Sequence, residues 1–332
     1  MKRSNLLILL AMTASFGLVG CGGSSSSGTI NANAPVAPAP EPAPAPAPGD
    51  NTITINGKAI DPELVGATVC LDLNANGQCE EDEPSVVTGT SGEYSLNVTG
   101  EQIAGGAPLV ATGGIDRESG KAFYGTLMAW VDTANATHNI TPLTTLVYQE
   151  IVMSAGASAA EAQELLQKTQ TILNLSVSEM LSDTIAMANA GNENPLKTAL
   201  ALQKSAEAIY PASTLTFYQG LAATIASAAS TDTLESLILQ LAPPYLRSAV
   251  SELIRTINAS AQTDPYALSA EARATAEALG IDQESMLQDA PTAPAPEAPD
   301  EAPVPVPDTP DAPAAPAPDA PQAPDMPAAP GM

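Results

Sequence analysis

The residues best placed to do chemistry lie between Cys70 and Glu83, in the stretch CLDLNANGQCEEDE. Asp72, Asn74 and Asn76 alternate, Gly77 follows, and Glu83 stands at the far end. The pattern D-x-[DN]-x-[DN]-G-x5-E is matched at every required place. Alternate side chains on a tight turn aim their oxygens at one point. Gly permits the bend, and the terminal Glu closes the far side with both oxygens. Gln78 would add its backbone carbonyl, and Glu80 would act directly or through water. The chemistry expected of Asp72, Asn74, Asn76, Gln78, Glu80 and Glu83 is therefore Ca2+ binding. With so few acids, the expected Kd is that of extracellular modules, roughly 10⁻⁴–10⁻³ M. The competing reading is a type I′ hairpin turn at Asn76-Gly77, with the acids merely solvated.

The elements that must hold this loop change character along the chain. Residues 52–132 contain TITINGKAI, ATVCLDL, SVVTGTSGEYSLNVT, PLVATGG and AFYGTLMAWV, β-branched runs cut by Gly, Asn, Asp and Pro. That is the signature of a small antiparallel β-sandwich. Residues 133–288 instead carry apolar residues three and four apart, as in the stripe Leu246, Val250, Leu253, Ile254 and Ile257. This predicts a helical bundle. Thr141-Pro142 reads as its first helix start, an N-cap followed by Pro, and Gly156, Gly191 and Pro211 as punctuation. The fold class expected is α+β and multidomain, a sandwich followed by an all-α bundle.

Both ends are compositionally different from this body. Residues 21–51 are Gly/Ser followed by an Ala-Pro repeat, expected to be a disordered, partly extended stalk. Residues 289–332 are Pro, Ala and acid, too poor in large apolar residues to bury a core, and are expected to be disordered. Residues 1–20 have a basic start and a short apolar core, the form of a signal peptide. With 37 Asp+Glu against 11 Lys+Arg, the chain repels nucleic acid and anionic surfaces and attracts cations. Aromatic residues, at 3%, are too few for a large sugar-binding platform.

The end of the leader, Leu18-Val19-Gly20-Cys21, resembles a bacterial lipobox. That resemblance implies cleavage before Cys21, acylation of Cys21 and a membrane-tethered mature chain in the cell envelope. Gly22 and Gly23 stand where an Asp would signal inner-membrane retention, which favours the outer membrane. Cys70 and Cys79 then remain as a pair in an oxidising compartment. In ATVCLDL, Val69, Leu71 and Leu73 should face the core, and Thr68, Cys70 and Asp72 the exposed side. Cys70 would sit beside the loop, able to reach Cys79 in a bond worth roughly 2–3 kcal/mol. Two free thiols and a Cys-ligated zinc site are the alternatives.

No helix flanks the loop, and Cys79 stands where an EF-hand places an aliphatic residue. Loop geometry without the EF-hand fold is expected, as in extracellular β-domains and dockerins. The run from Gly66 to Ser85, with Thr88-Gly89-Thr90-Ser91-Gly92-Glu93-Tyr94-Ser95-Leu96, resembles the transthyretin-like, Cna B-type and carboxypeptidase-regulatory-like β-sandwiches of bacterial surface proteins. Their T-D-x-D-G-x-Y-x-F motif keeps its Gly92 and Tyr94 here, as turn and core residues, while Gly89 and Ser91 replace both acids. HNITPLTTLV resembles the segment that opens the helical part of such lipoproteins; the likeness spans about residues 57–150. Cna-type domains sometimes carry a Lys–Asn isopeptide, for which Lys58 and Asn97, near Glu93, are the pair to inspect.

Catalytic patterns are weak. His138 is the one histidine and reads as a solvated linker residue, and no G-x-S-x-G motif accompanies it. The acids fall in a loop and in tails, away from strand ends around a cleft. The function expected is a non-enzymatic, lipid-anchored surface module of adhesion type that contacts an envelope protein. The alternative is an accessory lipoprotein of an outer-membrane transport system, its helices binding a hydrophobic ligand. A hydrolase ranks third and would need carboxylates converging in a deep cleft.

Overall fold

The computed structural model describes residues 52–289, apart from 132–136 and 156. Cys21, Gly156, the leader, the stalk and the tail beyond residue 289 lie outside the described residues. Strands come first: β1 Thr52–Lys58, β2 Leu64–Val65, β3 Thr68–Leu71, β4 Ser85–Val87, β5 Glu93–Thr99, β6 Ala107–Thr112, β7 Ile115–Asp116 and β8 Thr126–Val131. One short helix, α1 Gly100–Ile103, interrupts them. Then follow α2 Pro142–Met153, α3 Ala159–Leu173, α4 Val177–Met180, α5 Thr184–Asn189, α6 Asn194–Ile209, α7 Thr214–Ser227, α8 Leu234–Leu241, α9 Arg247–Ala259, α10 Pro265–Ala278 and α11 Gln283–Asp289. The chain is thus mixed, small antiparallel sheets and then helices, in the expected order. All of these elements belong to one compact unit.

β1 pairs with β5, and a second sheet runs β4-β3-β6-β8; β2 and β7 make a short third pair. β5 alternates strictly, burying Tyr94, Leu96 and Val98 and exposing the residues between. These side chains and Ile55 join Val69, Leu71, Leu109, Ala111, Leu127 and Val131 of the second sheet in one apolar cluster. The second sheet is covered on its other face too. There Cys70, Val110 and Met128 pack with Tyr148 of α2, and the Trp130 and Tyr148 rings stack at 6.2 Å.

That second covering corrects the expectation for β3. Cys70 and Asp72, expected on an exposed side, are each 0% exposed, while Leu73, expected in the core, is 47% exposed. The strand ends at Leu71, and Leu73 has already left the sheet. A period of two separates the faces of a strand but says nothing of what lies on each.

α2 starts where Thr141-Pro142 predicts: Thr141 caps the Thr144 amide, and Pro142 occupies the first turn. The next hydroxyls close the edge of the sheet. Thr145 Oγ1 accepts from the Met128 amide at 2.8 Å, and Thr144 Oγ1 donates to the Met128 carbonyl at 2.9 Å. β8 is an edge strand, and the helix answers backbone groups that would otherwise invite another chain. α6 is the central helix of the second part and is buried over most of its length, including Gln203, Lys204, Ser205 and Glu207.

The segment before α2 lies alongside β1. Ile140 N donates to Lys58 O, His138 N donates to Asn56 O, and the Tyr94 hydroxyl donates to the His138 carbonyl. His138 is buried, so it is no solvated linker residue. The contact demands Gly57, because a Cβ there would stand 1.9 Å from His138 O. Asn97 pairs with Thr54 and accepts its hydroxyl at 2.8 Å, whereas Lys58 pairs with Glu93 and reaches Asp183 at 3.0 Å. The ladder keeps Lys58 and Asn97 apart, and no isopeptide geometry forms.

Candidate functional site

Two acidic regions can do chemistry. The first is the loop from Asp72 to Glu83. Cys70 and Cys79 are joined by a disulfide at its base, with Cα atoms 5.6 Å apart. Asp72 accepts from the Asn76 amide at 3.2 Å through Oδ1 and from the Gly77 amide at 2.7 Å through Oδ2. Glu83 accepts from Leu73 N at 2.7 Å and from Glu80 N at 3.2 Å. Asn74 Oδ1 also accepts from Asn76 N, and Asn76 Oδ1 from Gln78 N. Glu80 lies across the loop, accepting from Asn74 Nδ2 at 2.5 Å and Asn76 Nδ2 at 3.0 Å.

Asp72, Asn74, Asn76, Glu80 and Glu83 are therefore brought together as expected, around one turn with positive φ at Ala75 and Gly77. The Gln78 carbonyl oxygen, the remaining expected group, lies 3.8 Å from Cys70 Sγ, beside the disulfide. Their oxygens are bonded to N–H groups, and a cation would have to displace the two Asn amides from Glu80. Among the described residues, no three His, Cys, Asp or Glu side chains are gathered closely enough to hold a metal ion.

The second region corrects the expectation that the acids avoid a cleft. A cavity of about 170 Å³ lies between the strands and the helices, lined by Asp61, Asp116, Lys204, Glu207, Phe123 and Gln283 among others. Asp61 follows β1, Asp116 ends β7, and Lys204 and Glu207 share one turn of α6. Lys204 Nζ lies 2.9 and 3.2 Å from the two Glu207 oxygens, and Gln203 Nε2 adds a 3.1 Å bond to Glu207. The Tyr218 hydroxyl in turn fixes Gln203, donating at 2.8 Å. Asp116 Oδ1 accepts from Glu118 N at 2.7 Å and from Ser119 N at 3.1 Å.

The electrostatics of this cluster follow from burial. Burial pushes the Asp61 carboxyl well above the usual range; Lys204 pulls it back, while Glu207 and Asp116 add to the rise. Asp116 is raised for the same reason, with the Ser119 amide and Lys204 opposing. For Lys204, burial works against the charge, but Glu207 and Asp61 outweigh it and hold the ammonium protonated. At the rim, α10 docks onto the β7 turn through Arg273–Glu118 at 2.9 Å and Lys121–Glu277 at 3.0 Å. Close by, the Tyr266 hydroxyl and Arg117 both bond the buried Glu63.

Sequence reasoning missed this region because its members come from three distant segments. The one available signal was the grouping of Gln203, Lys204 and Glu207 among the alanines and leucines of the second half of α6. Among the described residues no helix is long and apolar enough to cross a membrane. Comparison with family models, curated proteins and solved structures gives no match.

Proposed function

We propose that the chain is a lipid-anchored cell-envelope protein, tethered through Cys21, with the outer membrane the better fit. Its body acts by binding an envelope partner and carries out no reaction. The observation that carries this reading is the Cys70–Cys79 disulfide, packed against Val110, Met128 and Tyr148. Such a bond is at home in an oxidising compartment, and it agrees with the leader and lipobox-like sequence. The two sheets around one core, with Gly92 at φ +70° and Tyr94 buried, support reading the first part as a small transthyretin-like or Cna B-type β-sandwich. The helices, centred on α6, are read as a bundle packed against it.

The loop is proposed to bind Ca2+ weakly, through Asp72, Asn74, Asn76, Glu80 and Glu83, with the Gln78 carbonyl. What supports this is that their side chains already share one turn. The cavity is lined by charge, which favours an adhesion-type or structural module over a carrier of hydrophobic ligands. Treating cells with an inhibitor of lipoprotein signal peptidase tests the anchor. The expected result is accumulation of the uncleaved form, and normal processing of a Cys21→Ala chain would refute it. Crosslinking from intact cells should then capture an envelope protein.

A further inference from the structure

The cavity beside Asp61 is not used by the envelope reading, and the inference drawn from it stands whether or not Cys21 is acylated. Three carboxylates, Asp61, Asp116 and Glu207, share this space with one buried ammonium, Lys204. Lys204 is committed to Glu207. Asp116 has one oxygen on the Glu118 and Ser119 amides. Asp61 is 5% exposed, and no donor among the described residues bonds its carboxylate. A carboxylate largely withdrawn from water, with no donor and open only to the cavity, is costly, and it calls for a cation. The adjoining space is also larger than a single water needs. It measures about 170 Å³, against ~150 Å³ for an engineered cavity that admits benzene.

The geometry points to a second ammonium. The cavity takes a small organic cation, an alkylammonium of about five to eight non-hydrogen atoms. Its N–H groups donate to Asp61 and to the Asp116 oxygen left free by the amides. Its hydrocarbon part lies against Phe123, Ala122 and Ala276. Lys204 already shows the chemistry, a methylene stem ending in a carboxylate-bound ammonium. An anion would meet only cations that are taken, since Lys204, Lys121 and Arg273 pair with Glu207, Glu277 and Glu118. A divalent metal ion fits less well, because it wants about six or more oxygen ligands, and here Glu207 is held by Lys204 and Gln203 and one Asp116 oxygen by backbone amides.

Titration calorimetry of the full chain at physiological salt, with putrescine and n-butylamine as probes and butyrate as control, tests this. An amine should bind and butyrate should not. Asp61→Asn keeps the shape and removes the charge, so amine affinity should fall about tenfold or more while the melting temperature holds or rises. Ala276→Leu fills the same space from the helical side and leaves every carboxylate; it should weaken binding as much, and it decides the matter if the first variant does not fold. No amine binding by the parent chain overturns the proposal. So does amine binding that both variants leave intact, which would place the amine on the acidic surface. Tighter binding of Ca2+ than of either amine, lost in Asp61→Asn, would make this a metal site instead.

Discussion

The loop at 72–83 and the cleft around Asp61 are both gathered from carboxylates, and they differ in what answers the charge. In the loop, Asp72 and Glu83 are met by amides of their own segment, at 2.7–3.2 Å, so the turn is complete without help from the rest of the fold. In the cleft Glu207 is met by Lys204 of its own helix and Asp116 by two amides of its own turn, while the ammonium acts on Asp61 only through space, once the central helix has docked. Backbone amides can be supplied in the number a loop requires. A single ammonium cannot be divided among three acids, and Asp61 is the one left over. Glu150 on α2 is a third case: Thr169 donates a hydroxyl to Oε1, while Oε2 has no partner among the described residues. The fold thus answers its buried acids with amides, an ammonium or a lone hydroxyl, and each can be challenged separately.

The largest effect is expected at Lys204. Lys204→Met keeps the packing of the stem but strands Glu207 and leaves Asp61 and Asp116 without a cation. Losing one partner of a buried pair costs roughly 3–5 kcal/mol. Urea unfolding at neutral pH should show that loss, and the deficit should shrink in mild acid as the carboxyls take up protons. A cost within a few tenths of a kcal/mol at neutral pH would mean that the acids are already neutral and that Lys204 is not what holds the cleft.

Next is the staple under the loop. Replacing Cys70 and Cys79 together by Ala opens a ring closed across a sequence separation of 9. On chain-entropy grounds this costs roughly 2–3 kcal/mol. The loss should appear as a lower melting temperature with the cleft still intact. If amine binding at Asp61 fell with it, the two regions would be one cooperative site, contrary to their self-contained bonding.

How much of this was legible follows from the same distinction. The loop is written in consecutive residues, so spacing alone gathered Asp72, Asn74, Asn76, Glu80 and Glu83. Thr141-Pro142 likewise marked its helix start, because a cap needs only its own turn. The faces of β3 were not legible, since nothing in ATVCLDL says that a helix will cover Cys70. The cleft was less so: Asp61, Asp116 and Lys204 have no shared spacing, and Lys204-x-x-Glu207 looks like any exposed helical ion pair until the helix is buried. Local pairing carries a sequence signature, and docking between elements does not.

Glu150 should respond in the opposite direction to Lys204. Burial pushes its carboxyl up to about 8, with the Thr169 hydroxyl only partly opposing. The folded chain then keeps a proton that the unfolded chain releases above about 4.5. Its contribution to stability is therefore complete below that pH and drains away as pH rises toward 8. Glu150→Gln removes the slope, and at neutral pH the variant should be more stable than the parent by roughly 2–3 kcal/mol. Equal stabilities across that range would show that the pocket solvates the carboxylate after all.

The smallest effect distinguishes a calcium loop from a hydrogen-bonded turn. The Glu80 carboxylate is exposed and, among the described residues, bonds only the Asn74 and Asn76 side chains, so Glu80→Gln should cost the metal-free chain little. Changing both Asn74 and Asn76 to Asp has the reverse logic. It exchanges two amide donors for two charges beside Glu80, which should cost about 1 kcal/mol in chelator. With Ca2+ present those charges become ligands. Calcium at ten times its Kd should stabilise the parent by about 1.4 kcal/mol, the double variant by more, and Glu80→Gln by less. Thermal melts with and without calcium read all three. A parent chain indifferent to calcium, alongside a double variant that is only destabilised, would show that the Asn amides close this turn in place of a metal. The difference between the two acidic regions would then be complete, with only the cleft left short of a cation.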